Sequence, residues 1–215
     1  MPRRELNREK VLDAALELAS EEGLDGLSMR KLAKKLGVEA MSLYNHVANK
    51  TDILDGIAER AYTSIERADP SLPWPERLKV TALAMYKTLK KHPIVPMAVA
   101  KDRANPTSTA ALLPLDDMVG ALFEAGLDEV QARQVLSALN GLVFGSLMLA
   151  TAGFDREFST RAEAEQLKPY RTKVDRTLIP NFSRLFDAIE NADPERDLEA
   201  ALDLLISGLV TRTTS

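Results

Sequence analysis

The chain contains no cysteine, and its two histidines, His46 and His92, stand far apart. Disulfides, thiolate nucleophiles, cysteine-ligated zinc and thiol redox sensing are thereby removed together, and a histidine-rich metal site is not expected. There is no glycine-rich phosphate loop, nucleophile elbow or His/Cys/Asp constellation, so neither an enzyme nor a cofactor or metal is expected. Long apolar runs are missing too. The longest uncharged stretch, Val135 to Phe154, is interrupted by Ser137, Asn140, three glycines, Ser146 and Thr151. That suits a buried helix better than a membrane span of about 20 apolar residues. The opening MPRRELNREK is basic but leads into no apolar segment, so no signal peptide and a cytosolic location are expected. Alternating β patterns of useful length, repeats and low-complexity tracts are also lacking. With 215 residues, 45% of them apolar and 28% charged, the chain is globular and long enough for two small domains or one large one.

What is present concentrates in Leu27 to Leu54, LSMRKLAKKLGVEAMSLYNHVANKTDIL. Ser28 is placed to cap a helix whose Met29, Leu32, Ala33 and Leu36 fall at i, i+3, i+4 and i+7, one stripe of a 3.6-residue period. Gly37 ends that helix, and a second short one is expected from about Glu39 to Val47. A brief helix, a glycine turn and a second brief helix are the pattern of a helix-turn-helix DNA reader. The bland alternative is an ordinary three-helix fragment with a solvated basic face.

With Leu43 and Val47 turned inward, a helical wheel sets Met41, Ser42 and Asn45 opposite them, with Tyr44 and His46 on the flanks. Asn pairs with adenine through its donor and its acceptor, Met lies against a thymine methyl, and Ser, Tyr and His bond phosphates or base edges. Asn45 is the strongest candidate base reader. Asn49 should cap the next helix, with Asp52 three residues on as in a capping box and Lys50 adding charge for a phosphate. Net charge is only −4. Residues 1–50 carry 9 Lys and Arg against 8 Asp and Glu, and residues 51–215 carry 19 against 24. Phosphate attraction must therefore come from a local cluster (Arg3, Arg4, Arg30, Lys31, Lys34, Lys35, Lys50), with strong salt dependence and a small footprint per subunit.

The same segment resembles the N-terminal domain of the TetR family of transcriptional repressors, in particular its tetracycline-repressor branch. The resemblance is carried by Arg30-Lys31-Leu32-Ala33, Lys35-Leu36-Gly37-Val38-Glu39, Leu43-Tyr44, His46-Val47 and Asn49-Lys50. It implies that Arg30 contacts a guanine and that Ser42, Tyr44, His46 and Lys50 touch phosphates or bases. Ala40, Met41 and Asn45 stand where that branch has Gln, Pro and Trp, and Met29 replaces a hydroxyl residue, so a different operator sequence is implied. Val99 and Glu66 stand where that branch has its metal-binding and drug-contacting histidines, so tetracycline itself is not carried over.

Elsewhere the pattern is helical. Helices are expected at Asn7 to Glu22, Asn49 to Ala68, Pro75 to about Lys91, Ile94 to Ala100, Ser108 to Ala125, Asp128 to about Thr151, Arg176 to Ala192 and Pro194 to Thr211. A proline-rich linker is expected from Asp69 to Pro75 and a polar irregular loop from Gly153 to Lys173. The expected fold is all-α: a three-helix helix-turn-helix domain over residues 1–50 and a larger helical effector-binding and dimerisation domain over residues 51–215. The Gly141 to Gly145 spacing and the stripe Leu198, Ala201, Leu202, Leu205, Ile206 and Leu209 fit either a subunit interface or the core of a monomeric bundle. The resemblance implies that helices 128–151 and 194–211 pair two copies. It also implies an effector pocket, for which Met85, Tyr86, Leu89, Met97, Met118, Leu122, Phe144 and Met148 are candidate lining, although such a stripe also serves as plain core. The partners implied are a double-stranded DNA operator, a second copy of the chain and a small apolar effector, with no membrane. A homodimeric repressor released by its effector is the expected function. An activator or effector-independent regulator is not separated from it by the sequence, and a DNA-architectural module would show weaker sequence preference.

Overall fold

The computed structural model describes residues 6–101, 103–150, 173–185, 188 and 193–213, and every regular element among them is a helix. Asn7 caps α1, Arg8–Gly26, by accepting the Lys10 amide at 2.9 Å. The sequence points to an end at Gly23. Gly23 does leave helical geometry at φ +75°, a region that favours glycine, but the chain resumes a last turn to Gly26. Ser28 caps α2, Met29–Leu36, and Gly37 closes it in the left-handed region at φ +66°. The recognition helix α3 is shorter than its sequence pattern, Ala40–Leu43, followed by a turn. The Leu43 carbonyl accepts both His46 N and Val47 N, tightening the chain. Asn49 then caps α4, Lys50–Thr63.

Helix α4 also stops short of the expected Ala68. The Ser64 hydroxyl donates to the Ala61 carbonyl at 2.8 Å and occupies an acceptor that a continuing helix would need. Residues 64–73 form the proline-containing linker, and Pro75 sits in the first turn of α5, Trp74–Lys90. Then come α6, Ile94–Ala100, and α7, Thr109–Glu124, the latter capped by Ser108 and followed by Gly126 at φ +86°. Asp128 and Gln131 form a reciprocal capping box at the start of α8, Glu129–Ala150. Of the expected 153–173 loop only Lys173 lies among the described residues. The helix expected over 176–192 is a short α9, Pro180–Ser183, in its described part. The last helix, α10, is Pro194–Thr213. No helix among the described residues is long and apolar enough to cross a membrane.

Helices α1 to α3 close around Leu12, Leu27, Leu32 and Leu43 and rest on Ile53 of α4, all fully buried. The larger body packs α5, α7, α8 and α10 around Leu78, Leu89, Met118, Leu122, Leu139 and Leu202. Helix α4 touches both, meeting α1 on one side and α5, α6 and α7 on the other. Its acids grip the segment that leads into α7. Asp55 accepts the Asn105 amide at 2.8 Å, and Glu59 accepts the Thr107 and Ser108 amides at 2.5 and 2.8 Å and the Ser108 hydroxyl. Burial pushes the Glu59 carboxyl up, but these bonds outweigh it and hold it below its ordinary value. Beyond α4, Arg67 makes a two-pronged pair with Asp117 of α7, at 2.6 and 2.7 Å.

The stripe Leu198, Leu202, Ile206 and Leu209 turns into the chain's own core, with Ala201 and Leu205 half-buried. The open face of α10 is a different one, carrying Leu204 at 78% exposure and Gly208. On α8, Gly141 and Gly145 are exposed. A Cβ added at Gly141, Gly145 or Gly208 would meet nothing within 4 Å among the described residues.

Candidate nucleic-acid interface

Leu43 and Val47 are buried, as the wheel requires, and anchor the recognition element to the head. Met41 is 75% exposed, Tyr44 48% exposed and Asn45 exposed, while Ser42 and His46 are half-buried at its edges. One short turn thus presents an apolar thioether, a phenol and an amide to solvent, with a hydroxyl and an imidazole beside them. These groups match base edges, a thymine methyl and phosphates. Arg30 and Lys34 are exposed on α2, the helix that crosses the backbone in this motif.

The rest of the expected basic cluster is differently engaged. Lys31 pairs with Glu22 at 2.5 Å, and Lys35 with Glu21 at 3.1 Å and Glu17 at 3.3 Å. The acids of α1 thus compensate the outer lysines of α2. Lys50 does not point freely toward a phosphate: its ammonium donates to the Leu24 carbonyl at 2.6 Å, at the α1–α2 turn. Burial there, with Arg103 nearby, pushes the Lys50 amine below its ordinary range, while Asp25 pulls the other way. An ammonium has three donors, so a phosphate must share Lys50 with Leu24 or displace that bond. Arg103, from the loop after α6, reaches Asp25 at 2.6 Å. Arg3 and Arg4 lie outside the described residues.

Asn49 accepts the Asp52 amide at 3.0 Å, as the capping pattern foresees. The Asp52 carboxylate closes on Ala48 N, one residue further back than a capping box would place it. Sequence reasoning missed its other partner. Arg8 of α1 binds that carboxylate and also the His46 carbonyl. These contacts span 38 to 44 positions and leave no trace in local spacing.

Two family profiles divide the chain. That of bacterial regulatory proteins, tetR family, matches residues 11–62, and that of the tetracyclin repressor-like C-terminal domain matches residues 68–213. The chain belongs to the TetR family. Among TetR relatives, the Escherichia coli tetracycline repressor protein class D is 45% identical over 92 residues, 40% of this chain and 41% of that protein. The match therefore spans less than half of the class D repressor. The class A repressor from transposon 1721, also of Escherichia coli, is 29% identical over 207 residues, covering 94% of this chain and 89% of that protein. Of solved structures, the Streptomyces coelicolor TetR family protein ActR in complex with actinorhodin superposes with a TM-score of 0.77 at 26% identity, covering 98% of this chain and 100% of that one. ActR in complex with (S)-DNPA gives 0.75 at 28% identity, with 96% and 98% covered.

In this TetR chain the candidate pocket residues sit deep in the body. Met85, Tyr86, Leu89, Met118, Leu122 and Met148 are buried, and Met97 and Phe144 half-buried. Tyr86 is fully buried, yet its hydroxyl has no hydrogen-bond partner among the described residues. The Lys90 ammonium lies 5.4 Å from the centre of the Tyr86 ring, within cation–π range.

Proposed function

We propose that this chain is a homodimeric transcriptional repressor that holds its operator through α3 and releases it when a small apolar effector occupies the C-terminal body. The observation that carries the DNA-reading half is the solvent-facing row Met41, Tyr44 and Asn45 backed by buried Leu43 and Val47. Arg30, Ser42, His46 and Lys50 complete the assigned contact set. We place the boundary of the reading domain at residue 50, with α4 as the joint to residues 51–215, and the protein at work in the cytosol.

The bare faces of α8 and α10 support pairing of two copies. Glycine in an exposed helix costs about 1 kcal/mol relative to alanine, and no neighbour among the described residues needs the space above Gly141, Gly145 and Gly208. A second copy does, because small residues let helix backbones approach closely, and Leu204 supplies a side chain to fill the gap. Two recognition helices held about 34–36 Å apart then read successive major grooves. For the effector, the support is the Tyr86 phenol, unpartnered among the described residues and in apolar surroundings, together with the family relative ActR, two of whose structures hold small molecules. The effector acts by its differential affinity for the bound and released states and by no more than that.

The test is selection of duplexes from a random pool with the purified protein. A two-fold symmetric site bound by two subunits is the expected result. Arg30→Ala and Asn45→Ala should each then lose about 1–3 kcal/mol of discrimination at particular base pairs. Absence of a consensus would replace this reading with an architectural role.

A further inference from the structure

Arg8 opens α1 immediately after its Asn7 cap, and its guanidinium reaches two elements far along the chain. Nη2 donates to Asp52 Oδ1 at 2.7 Å, and Nη1 to Asp52 Oδ2 at 3.0 Å and to the His46 carbonyl at 3.2 Å. Asp52 Oδ2 also accepts the Ala48 amide at 2.7 Å. One fork thus joins the start of α1, the first turn of α4 and the chain just beyond α3. The pair also perturbs both partners: the Asp52 bond raises the Arg8 pKa, and the Arg8 bond lowers that of Asp52.

The room for this fork is provided on α4. A Cβ at Gly56 would stand 3.0 Å from Leu12 Cδ1 and 3.1 Å from Arg8 Nη2, so any other residue there would make Leu12 and Arg8 give way by a few tenths of an ångström. The recognition helix needs outside support. At four residues it is far below the length at which a helix holds itself, and the carbonyls at its end have no partners within the helix. Arg8 braces the turn that follows it, donating to the carbonyl of His46, three residues past Leu43.

We propose that Arg8 and Asp52 are positioning residues for DNA reading, fastening the end of the recognition element and so fixing the angle at which Met41, Tyr44 and Asn45 are presented. This rests on the repressor reading above. An ion pair this exposed adds little to fold stability. Its effect therefore registers in the discrimination between DNA sequences and not in melting.

The full-length protein, with Arg8→Gln, Asp52→Asn and Arg8→Lys, is titrated by fluorescence anisotropy against two duplexes of equal length, the selected operator and a scramble, at several salt concentrations. Circular dichroism melts accompany the titrations. Operator affinity should fall about tenfold, the scale of one misread base pair, while scramble affinity and the salt slope stay as in the wild type. Arg8→Lys keeps the charge but loses the fork, so it should behave like Arg8→Gln and remains informative if the neutral variants fold poorly. Equal losses on both duplexes, with the salt slope flatter by about one unit, would make Arg8 a phosphate contact and overturn the proposal. Unchanged operator affinity in all three variants would overturn it too. A wild-type protein that selects no operator would instead remove the DNA-reading function on which it stands.

Discussion

Replacing Gly145 by alanine sets two effects against each other. Among the described residues of a single chain the added methyl meets no atom within 4 Å, so helix propensity is what changes, and the fold should gain about 1 kcal/mol. For a chain of this length that raises the melting temperature by about 2–4 °C. If α8 is where two copies meet, the same methyl enters a close helix crossing, where overpacking costs about 1–3 kcal/mol. Each 1.4 kcal/mol is about tenfold in a dissociation constant, so dimerisation should weaken by about 5- to 150-fold. Sedimentation equilibrium over a range of protein concentrations reads the second quantity. Melts at concentrations below and above the dimer midpoint read the first, because association makes the melting temperature concentration-dependent. The expected result is a more stable monomer and a weaker dimer, with operator affinity falling as the dimer is lost. A raised melting temperature with an unaltered dimer constant would refute the reasoning and leave α8 facing solvent.

Leu43→Ala removes a fully buried side chain from under the recognition element; chemical denaturation should show a loss of about 2–5 kcal/mol. Tyr86→Phe deletes a buried hydroxyl with no partner among the described residues. It should stabilise the ligand-free protein by about 1 kcal/mol, read as a higher denaturation midpoint, whereas a loss would mean that the hydroxyl is bonded in solution. His92 is held below its usual pKa by burial and then by Arg60 and Lys91. As the pH falls, the unfolded chain takes up this proton first, so stability is greatest above the unfolded value of about 6.5 and declines below it. His92→Gln should flatten the melting temperature between about pH 7 and pH 5, and an unchanged pH profile would remove His92 as the source of that slope.

Features set by neighbours in the chain were readable in advance. Ser28, Gly37, Asn49 and Asp128 take the capping roles their positions announce, and Leu43 and Val47 bury as the 3.6-residue period requires. Two helices ended early, at Leu43, whose carbonyl accepts two amides of a tightened turn, and at Ser64, where a side chain took a backbone acceptor. Contacts between distant segments were not readable. Nothing local says that Arg8 meets Asp52, that Lys50 bonds Leu24, or that the lysines of α2 find the acids of α1. The stripe on α10 exposes a further limit. A period identifies an apolar face but not what covers it, and that face turned into its own core while Leu204 was left outside.

The pairing of Lys31 and Lys35 with the glutamates of α1 bears on how the protein spends its time in a cell. Each lysine that neutralises a phosphate adds about 0.9 to the salt slope for duplex DNA, and a lysine already matched to a carboxylate contributes less. Lys31 and Lys35 therefore add little to any grip on arbitrary sequence. A genome offers on the order of 10⁶–10⁹ competing sites, so weak retention at each one shortens the search for the operator. Fewer copies of the protein are then needed to keep that operator occupied.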